Sequence, residues 1–398
     1  MYWRVHSFPA RISASAGNKL AKRERLPSLL NVMKILKRAL LVSCILYPLS
    51  VFAASEDELV ERARAIHDRV MALDTHADIP LNFATSEFDP GSAEAQVNLD
   101  SMEAGGLDAA FFIVYVGQLP RTPENYRLAI ADAVTKFDAI HRMTEYMYPD
   151  RIGLAQTAAE ARQLFAEGKL VAMIGIENGF VLGEDLSLLE DYRRRGARYL
   201  TLVHNGHNAI GDSAQPRPQF GDAGPEEHGG LSEFGYRVVE ELNRLGILVD
   251  VSHVSRQTML DATRHSKAPV IASHSSVKSV TEHARNMDDE QLQVVRQNGG
   301  VVQIVAFNPY LNEGGGADVS MLADHIDYAV NLIGIDHVGI SSDFGGGGGI
   351  TGWNNAGETF NVTLELVRRG YSEENIAKLW SGNVLRVLEE AERVADYK

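Results

Sequence analysis

From residue 70 onward the chain repeats one pattern: a short apolar run, a polar cluster, then a stretch with apolar positions at helical spacing. The runs 70–73, 109–116, 170–176, 197–203, 247–251, 269–272, 300–307 and 337–341 predict eight strands. Helices are predicted at 56–69, 124–147, 186–195, 232–245, 256–265, 288–297, 320–332, 358–369 and 372–394. Only the helix 256–265 separates the runs 247–251 and 269–272, so those two strands must be parallel neighbours joined by a crossover. Eight strands alternating with helices predict an α/β chain folded as a (β/α)8 TIM-type barrel, with extra helices after the last strand. No low-complexity linker interrupts residues 55–398, which are read as one domain.

Polar residues gather where the runs end. The first run leads into Asp74-Thr75-His76-Ala77-Asp78, the third meets Glu177, the fourth His204, the fifth and sixth reach His253 and His274 through Ser-His pairs, and the eighth ends at Asp343. A lone histidine is more often a surface or satisfied core residue than a ligand. His76, His253 and His274 differ because three separate strands deliver them to the C-terminal mouth, where barrels of this type keep their active sites. His337 begins a strand, at the wrong end for chemistry. His76, Asp78, Glu177, His253 and His274 offer five N and O ligands, more than one zinc needs. That set suits two ions sharing a carboxylate, the arrangement of metal-assisted hydrolysis.

Composition narrows the setting. Residues 1–54 hold nine of the 38 Lys and Arg and one acid, Glu24. Within them Met33 opens a basic start, an apolar run 39–52 and the small residues Ala53, Ala54 and Ser55, the pattern of a secretory signal cleaved near Ala53 or Ala54. The run is short for a membrane span. The long apolar stretch after Cys44 also argues against lipid attachment there. Without this leader, 29 Lys and Arg face 52 Asp and Glu, a net charge of −23 that disfavours nucleic acid and anionic membrane. Cys44 is the only cysteine, so the remaining chain has neither disulfide nor thiolate, and any metal must be held by His, Asp and Glu. An exported, periplasmic or extracellular protein is expected, with a homodimer as its assembly.

The segments DTHAD, IGIENG, YLTLVHN, LVDVSHVS, PVIASHSS, HARN and GISSDF, in this order, closely resemble the membrane dipeptidase (renal dipeptidase) family of zinc peptidases. The resemblance runs from about Ile66 to Val394. It implies two zinc ions, one on His76 and Asp78, the other on His253 and His274, with Glu177 bridging. It further implies that His204 supports the developing negative charge of the scissile carbonyl, that Arg285 of HARN holds the substrate carboxylate, and that Asp343 manages protons. The activity implied is hydrolysis of free dipeptides, with tolerance of a D residue at the C-terminal position. Members anchored by glycolipid carry an apolar C-terminal tail and disulfides, whereas this chain ends in EEAERVADYK, so no anchor is expected. Other binuclear amidohydrolases, such as lactonases, phosphotriesterases or β-lactam hydrolases, more often show His-x-His and a bridging lysine. A metal-retaining binding protein without turnover would not need Asp343 and Arg285.

Overall fold

The computed structural model describes residues 55–397. The expected leader, the expected cleavage near Ala53 or Ala54, and Cys44 lie outside the described residues. Nine strands form one parallel sheet: β1 (Leu73–Asp78), β2 (Ala109–Tyr115), β3 (Ile152–Leu154), β4 (Leu170–Glu177), β5 (Ala197–Thr201), β6 (Leu248–Asp250), β7 (Ile271–Ser275), β8 (Val301–Val305) and β9 (Val338–Ser341). Eight of them follow one another around a barrel in chain order. Between β1 and β9 the ring is closed by a bridge pairing Ala77 with Phe344, where the Asp78 amide donates to the Phe344 carbonyl at 2.7 Å. The expected (β/α)8 barrel is what the chain forms.

The strands read as near-continuous apolar runs because both faces are buried, as parallel sheets require. Along β4, Leu170, Ala172, Ile174 and Ile176 face the helices, while Val171 and Met173 face the barrel interior with Phe111, Tyr199, Leu248, Ile271 and Val301. Strict alternation puts Glu177 on the interior face at the top of β4. The C-terminal helix Asn383–Val394 sets Val384, Leu385 and Leu388 against the interior cluster.

Several boundaries differ from the sequence pattern. β1 begins at Leu73 and runs on through Asp78, past the expected end of the run, because its polar residues are buried and bonded: Asp74 accepts from the Ser342 amide at 2.8 Å. The short β3 was not expected; it pairs with the start of β4, on the edge that β5 takes over from Ile174 onward. The helix expected over 372–394 is interrupted by a π turn at Lys378–Gly382, where Trp380 Nε1 donates to Thr363 Oγ1 at 3.0 Å. The helices Leu99–Gly105 and Ala158–Ala166 were also not expected; each begins at a capping side chain, Asn98 and Thr157.

Candidate metal centre

Alternation alone would not bring His76 and His274 inward. Leu73 and Ile271 face the interior, so residues of odd number should follow them there. Each strand instead carries a one-residue register shift, between Asp74 and Ala77 in β1 and between Ala272 and Ser275 in β7. Such a bulge re-aims the side chains beyond it. After the shifts the His76 and His274 rings meet inside the mouth with centroids 3.9 Å apart.

Glu177 lies at the centre of the cluster. Its Oε1 is 3.1 Å from His253 Nε2 and 3.4 Å from His274 Nε2, while its Oε2 is 3.5 Å from His76 Nε2. Asp78 Oδ2 approaches the same His76 nitrogen at 3.4 Å, and Asp343 Oδ1 lies 4.0 Å from it. The two carboxylate oxygens of Glu177 thus face two different groups of nitrogens. Backbone strain concentrates here: Asn178, His253 and Asp343 hold φ of 82°, 66° and 59°, which non-glycine residues rarely adopt.

Beneath the histidines a layer of polar side chains fixes their tautomers. Tyr199 Oη donates to the Thr75 carbonyl at 3.0 Å and so accepts from His76 Nδ1 at 3.0 Å, leaving the His76 Nε2 lone pair pointing into the cluster. Ser273 Oγ donates to Asp250 Oδ2 at 2.6 Å and accepts from His274 Nδ1 at 2.9 Å, which leaves the His274 Nε2 lone pair likewise inward. Asp250 is held in turn by the amides of Ser252 and Ser273. The Tyr199 ring has room because residue 175 is glycine: a Cβ there would lie 2.2 Å from the ring.

The donors fit a cation. His76 Nε2 is buried without a hydrogen-bond partner, and the inward nitrogens of His253 and His274 stand 2.7 Å apart. Burial, then Arg285 for His253 and His76 for His274, holds both imidazoles well below their ordinary basicity, so they remain neutral donors. Burial would also lower His76, but Glu177 and Asp78 outweigh it and favour positive charge at that position. Burial pushes against ionisation of Glu177, yet His76, then His204, with His253 and His274 close by, keep its carboxyl well below the usual range. For Asp343, burial together with Asp78 and Glu177 pushes the carboxyl well above it.

His204 follows β5 and sets Nε2 3.8 Å from Glu177 Oε1; burial lowers its basicity. It lines, with Glu177 and Asp343, a cavity of about 630 Å³ over the cluster. Arg285 is buried just outside the cavity wall. Its Nη2 donates to the His274 carbonyl at 3.2 Å, its Nε has no partner, and its guanidinium lies 5.4 Å from the ring centroid of Tyr310, which does line the cavity.

All eight residues singled out in the sequence therefore come to one end of the barrel. The sequence reading passed over Tyr199, Asp250 and Lys136. Lys136 is 5% exposed and lines the same cavity; it falls in the buried stripe Ala129, Ala133, Phe137, Ile140 of the helix Pro123–Arg142, and a lysine in an apolar stripe is the signal that marks it.

Residues 60–398 match the family described as membrane dipeptidase (peptidase family M19). The chain is 36% identical over 307 residues to the dipeptidase aclJ of Aspergillus oryzae, covering 75% of this chain and 71% of that one. It is 32% identical over 360 residues to the dipeptidase verJ of Clonostachys rogersoniana, covering 87% and 90%. Among solved structures, the probable dipeptidase PvdM from Pseudomonas aeruginosa superposes with a TM-score of 0.82 at 31% identity, covering 85% of this chain and 100% of that one. A metallo peptidase from Rhodobacter sphaeroides, bound to a phosphinate mimic of the dipeptide L-Ala-D-Ala, gives 0.72 at 25% identity, covering 81% and 99%.

Proposed function

The chain belongs to the membrane dipeptidase family, peptidase family M19, and from that premise we propose that it is an exported dipeptidase working with two zinc ions that share Glu177. That it is a metal-dependent dipeptidase follows from the family; the finer statements are our reading. The observation that carries it is the division of the Glu177 carboxylate, Oε1 toward His253 and His274 and Oε2 toward His76. His76 and Asp78 would hold one ion, His253 and His274 the other. Ions bound there supply Lewis acidity to the scissile carbonyl and lower the pKa of a water molecule.

The chain's own residues do the rest. His204, neutral and open to the cavity, donates a hydrogen bond to the oxygen on which charge develops. Asp343, 4.0 Å from His76 Nε2 at the edge of the cluster, takes up the proton of the attacking water and delivers it to the leaving amine. Arg285 holds the C-terminal carboxylate, and its unpaired Nε supports that role. A carboxylate held one residue beyond the attacked carbonyl limits the substrate to dipeptides. Tolerance of a D residue at the second position is supported by the L-Ala-D-Ala mimic bound to the Rhodobacter sphaeroides relative. Export and removal of residues 1–54, leaving the barrel domain 55–398, are supported by the leader pattern.

Purified, zinc-loaded protein assayed on dipeptides of both stereochemistries and on their C-terminal amides tests this reading, together with metal analysis of wild type and Glu177→Gln. Two zinc ions per chain, turnover of free dipeptides and poor turnover of the amides are expected. The variant should lose metal and activity together. Full metal content and near wild-type activity in Glu177→Gln would refute the shared carboxylate.

A further inference from the structure

Lys136 has no place in the chemistry described so far. Its helix packs on β2 through Ala133, Phe137 and Ile140, and the same face carries the lysine inward to the cavity wall beside Tyr115, with Nζ 5.5 Å from the Tyr115 ring centroid. Among the described residues no carboxylate oxygen comes within 4.0 Å of Nζ, and no hydrogen-bond acceptor engages it. Burial of the side chain penalises its charged form and lowers the basicity of Lys136, and the face of the Tyr115 ring compensates the charge only in part. The carboxylates whose fields reach it, chiefly Asp78 and Glu177, are those assigned to the metal ions in our reading. Once they are so engaged, they no longer compensate the lysine. Asp132 then remains on its own helix, and a closer anion can come from what fills the cavity.

Its position selects the part of the substrate. Glu177 and His204 mark where the scissile carbonyl lies. On one side stand Tyr310 and, behind it, Arg285, which takes the C-terminal carboxylate. Arg285 follows β7, whereas Lys136 is on the helix after β2, the strand opposite β7 in the ring, with Tyr115 and the apolar rings of Phe83 and Phe112 lining the cavity on that side. A dipeptide lying over Glu177 with its C-terminus toward Arg285 would turn the side chain of its N-terminal residue toward this wall. Aromatic walls with one cation at their end suit a short aliphatic stem carrying a carboxylate.

We propose that Lys136 is a specificity-determining residue that pairs with an acidic side chain on the N-terminal residue of the dipeptide, so that the preferred substrates carry glutamate or aspartate there. This rests on the reading that a dipeptide lies over Glu177 with its C-terminus toward Arg285.

The test compares isosteres on the zinc-loaded full chain: L-Glu-L-Ala against L-Gln-L-Ala, and L-Ala-L-Glu against L-Ala-L-Gln. Wild type is expected to favour Glu-Ala over Gln-Ala by about 10- to 150-fold in kcat/KM, the range for a hydrogen bond to a charged group. The second pair should differ little. Lys136→Met should bring the first pair within about twofold of each other by losing rate on the acid alone. Equal turnover of Glu-Ala and Gln-Ala, a preference confined to the second pair, or a preference that survives Lys136→Met would each overturn the proposal. The two wild-type comparisons decide it even if the variant does not fold. Failure to cleave any of the four dipeptides would overturn the dipeptidase reading and this subsite with it, whereas equal cleavage of acid and amide overturns the subsite alone.

Discussion

Tyr199 and His76, 123 positions apart in the chain, meet through a 3.0 Å hydrogen bond in which the imidazole Nδ1 donates to the phenol oxygen. The phenol's own proton is committed to the Thr75 carbonyl, so the bond has only one sense. The orientation of a candidate ligand on β1 is thus dictated by a residue of β5 whose hydroxyl bonds the far side of that imidazole and the β1 backbone.

Tyr199→Phe should therefore keep the ring over Gly175 and the fold intact while loosening His76. Outer partners of ligating histidines typically account for 10- to 100-fold in metal affinity. We expect a loss of about that size, read by competition with a chelator, with an unchanged circular dichroism spectrum. Unaltered affinity would mean the His76 tautomer is set by something else.

Asp343→Asn separates proton handling from metal binding. If Asp343 only carries the proton, metal content stays at wild type and kcat falls by about 10²- to 10⁴-fold. The alternative is open in the geometry, since His76, Asp78 and Asp343 have ligand atoms within 4.8 Å of one another. Loss of metal in the variant would make Asp343 a ligand.

Gly346 presses on the same carboxylates. A Cβ there would lie 2.4 Å from Asp78 Oδ2 and 2.5 Å from Asp343 Oδ1, closer than real contacts allow. Gly346→Ala is expected to displace one or both carboxylates and reduce activity by more than about tenfold, the size of effect that misplaced reacting groups produce. Gly314→Ala, where the nearest atom is 3.6 Å from the added carbon, serves as the control with unchanged rate. Equal rates in both variants would contradict the placement of this loop.

Asp108, just before β2, supplies a pH test away from the centre. Burial raises its carboxyl to about 7, although it accepts the Ala72 amide at 2.8 Å. In the unfolded chain an Asp titrates near about 3.9. Between these values the folded protein binds the extra proton, so this group's contribution to stability is complete below about pH 4 and is lost as pH rises to about 7. Asp108→Asn removes it. The difference in Tm, wild type minus variant, should fall steadily from pH 4 to 7; a difference that grows with pH would show that Asp108 is ionised in the fold.

The barrel was legible because parallel strands buried on both faces leave apolar runs that stand out from any background. The candidate ligands were legible because they end those runs. What escaped were features that write nothing local. β3 spans three residues and has no run of its own. The polar continuation of β1 looks like a loop until Ser342, 268 positions away, arrives to satisfy Asp74. Tyr199 and Asp250 sit inside strands where an aromatic and an acid look like ordinary alternation, and only the packed interior shows which histidine each one serves. Arg285 was found through the HARN segment, but its burial behind Tyr310 could not be read from that segment.

The two register shifts have a mechanical side. Each inserts a residue at the same height in the barrel, and the inserted segments touch across the lumen: Thr75 Oγ1 donates to the Ser273 carbonyl at 2.7 Å, joining β1 to β7 although β8 and β9 lie between them in the sheet. This crossbar, with the Tyr199 phenol lodged against it, holds His76 and His274 at a fixed span. The joint between β1 and β9 is fastened differently, by one backbone bridge and by the bonds of Ser342 to Asp74.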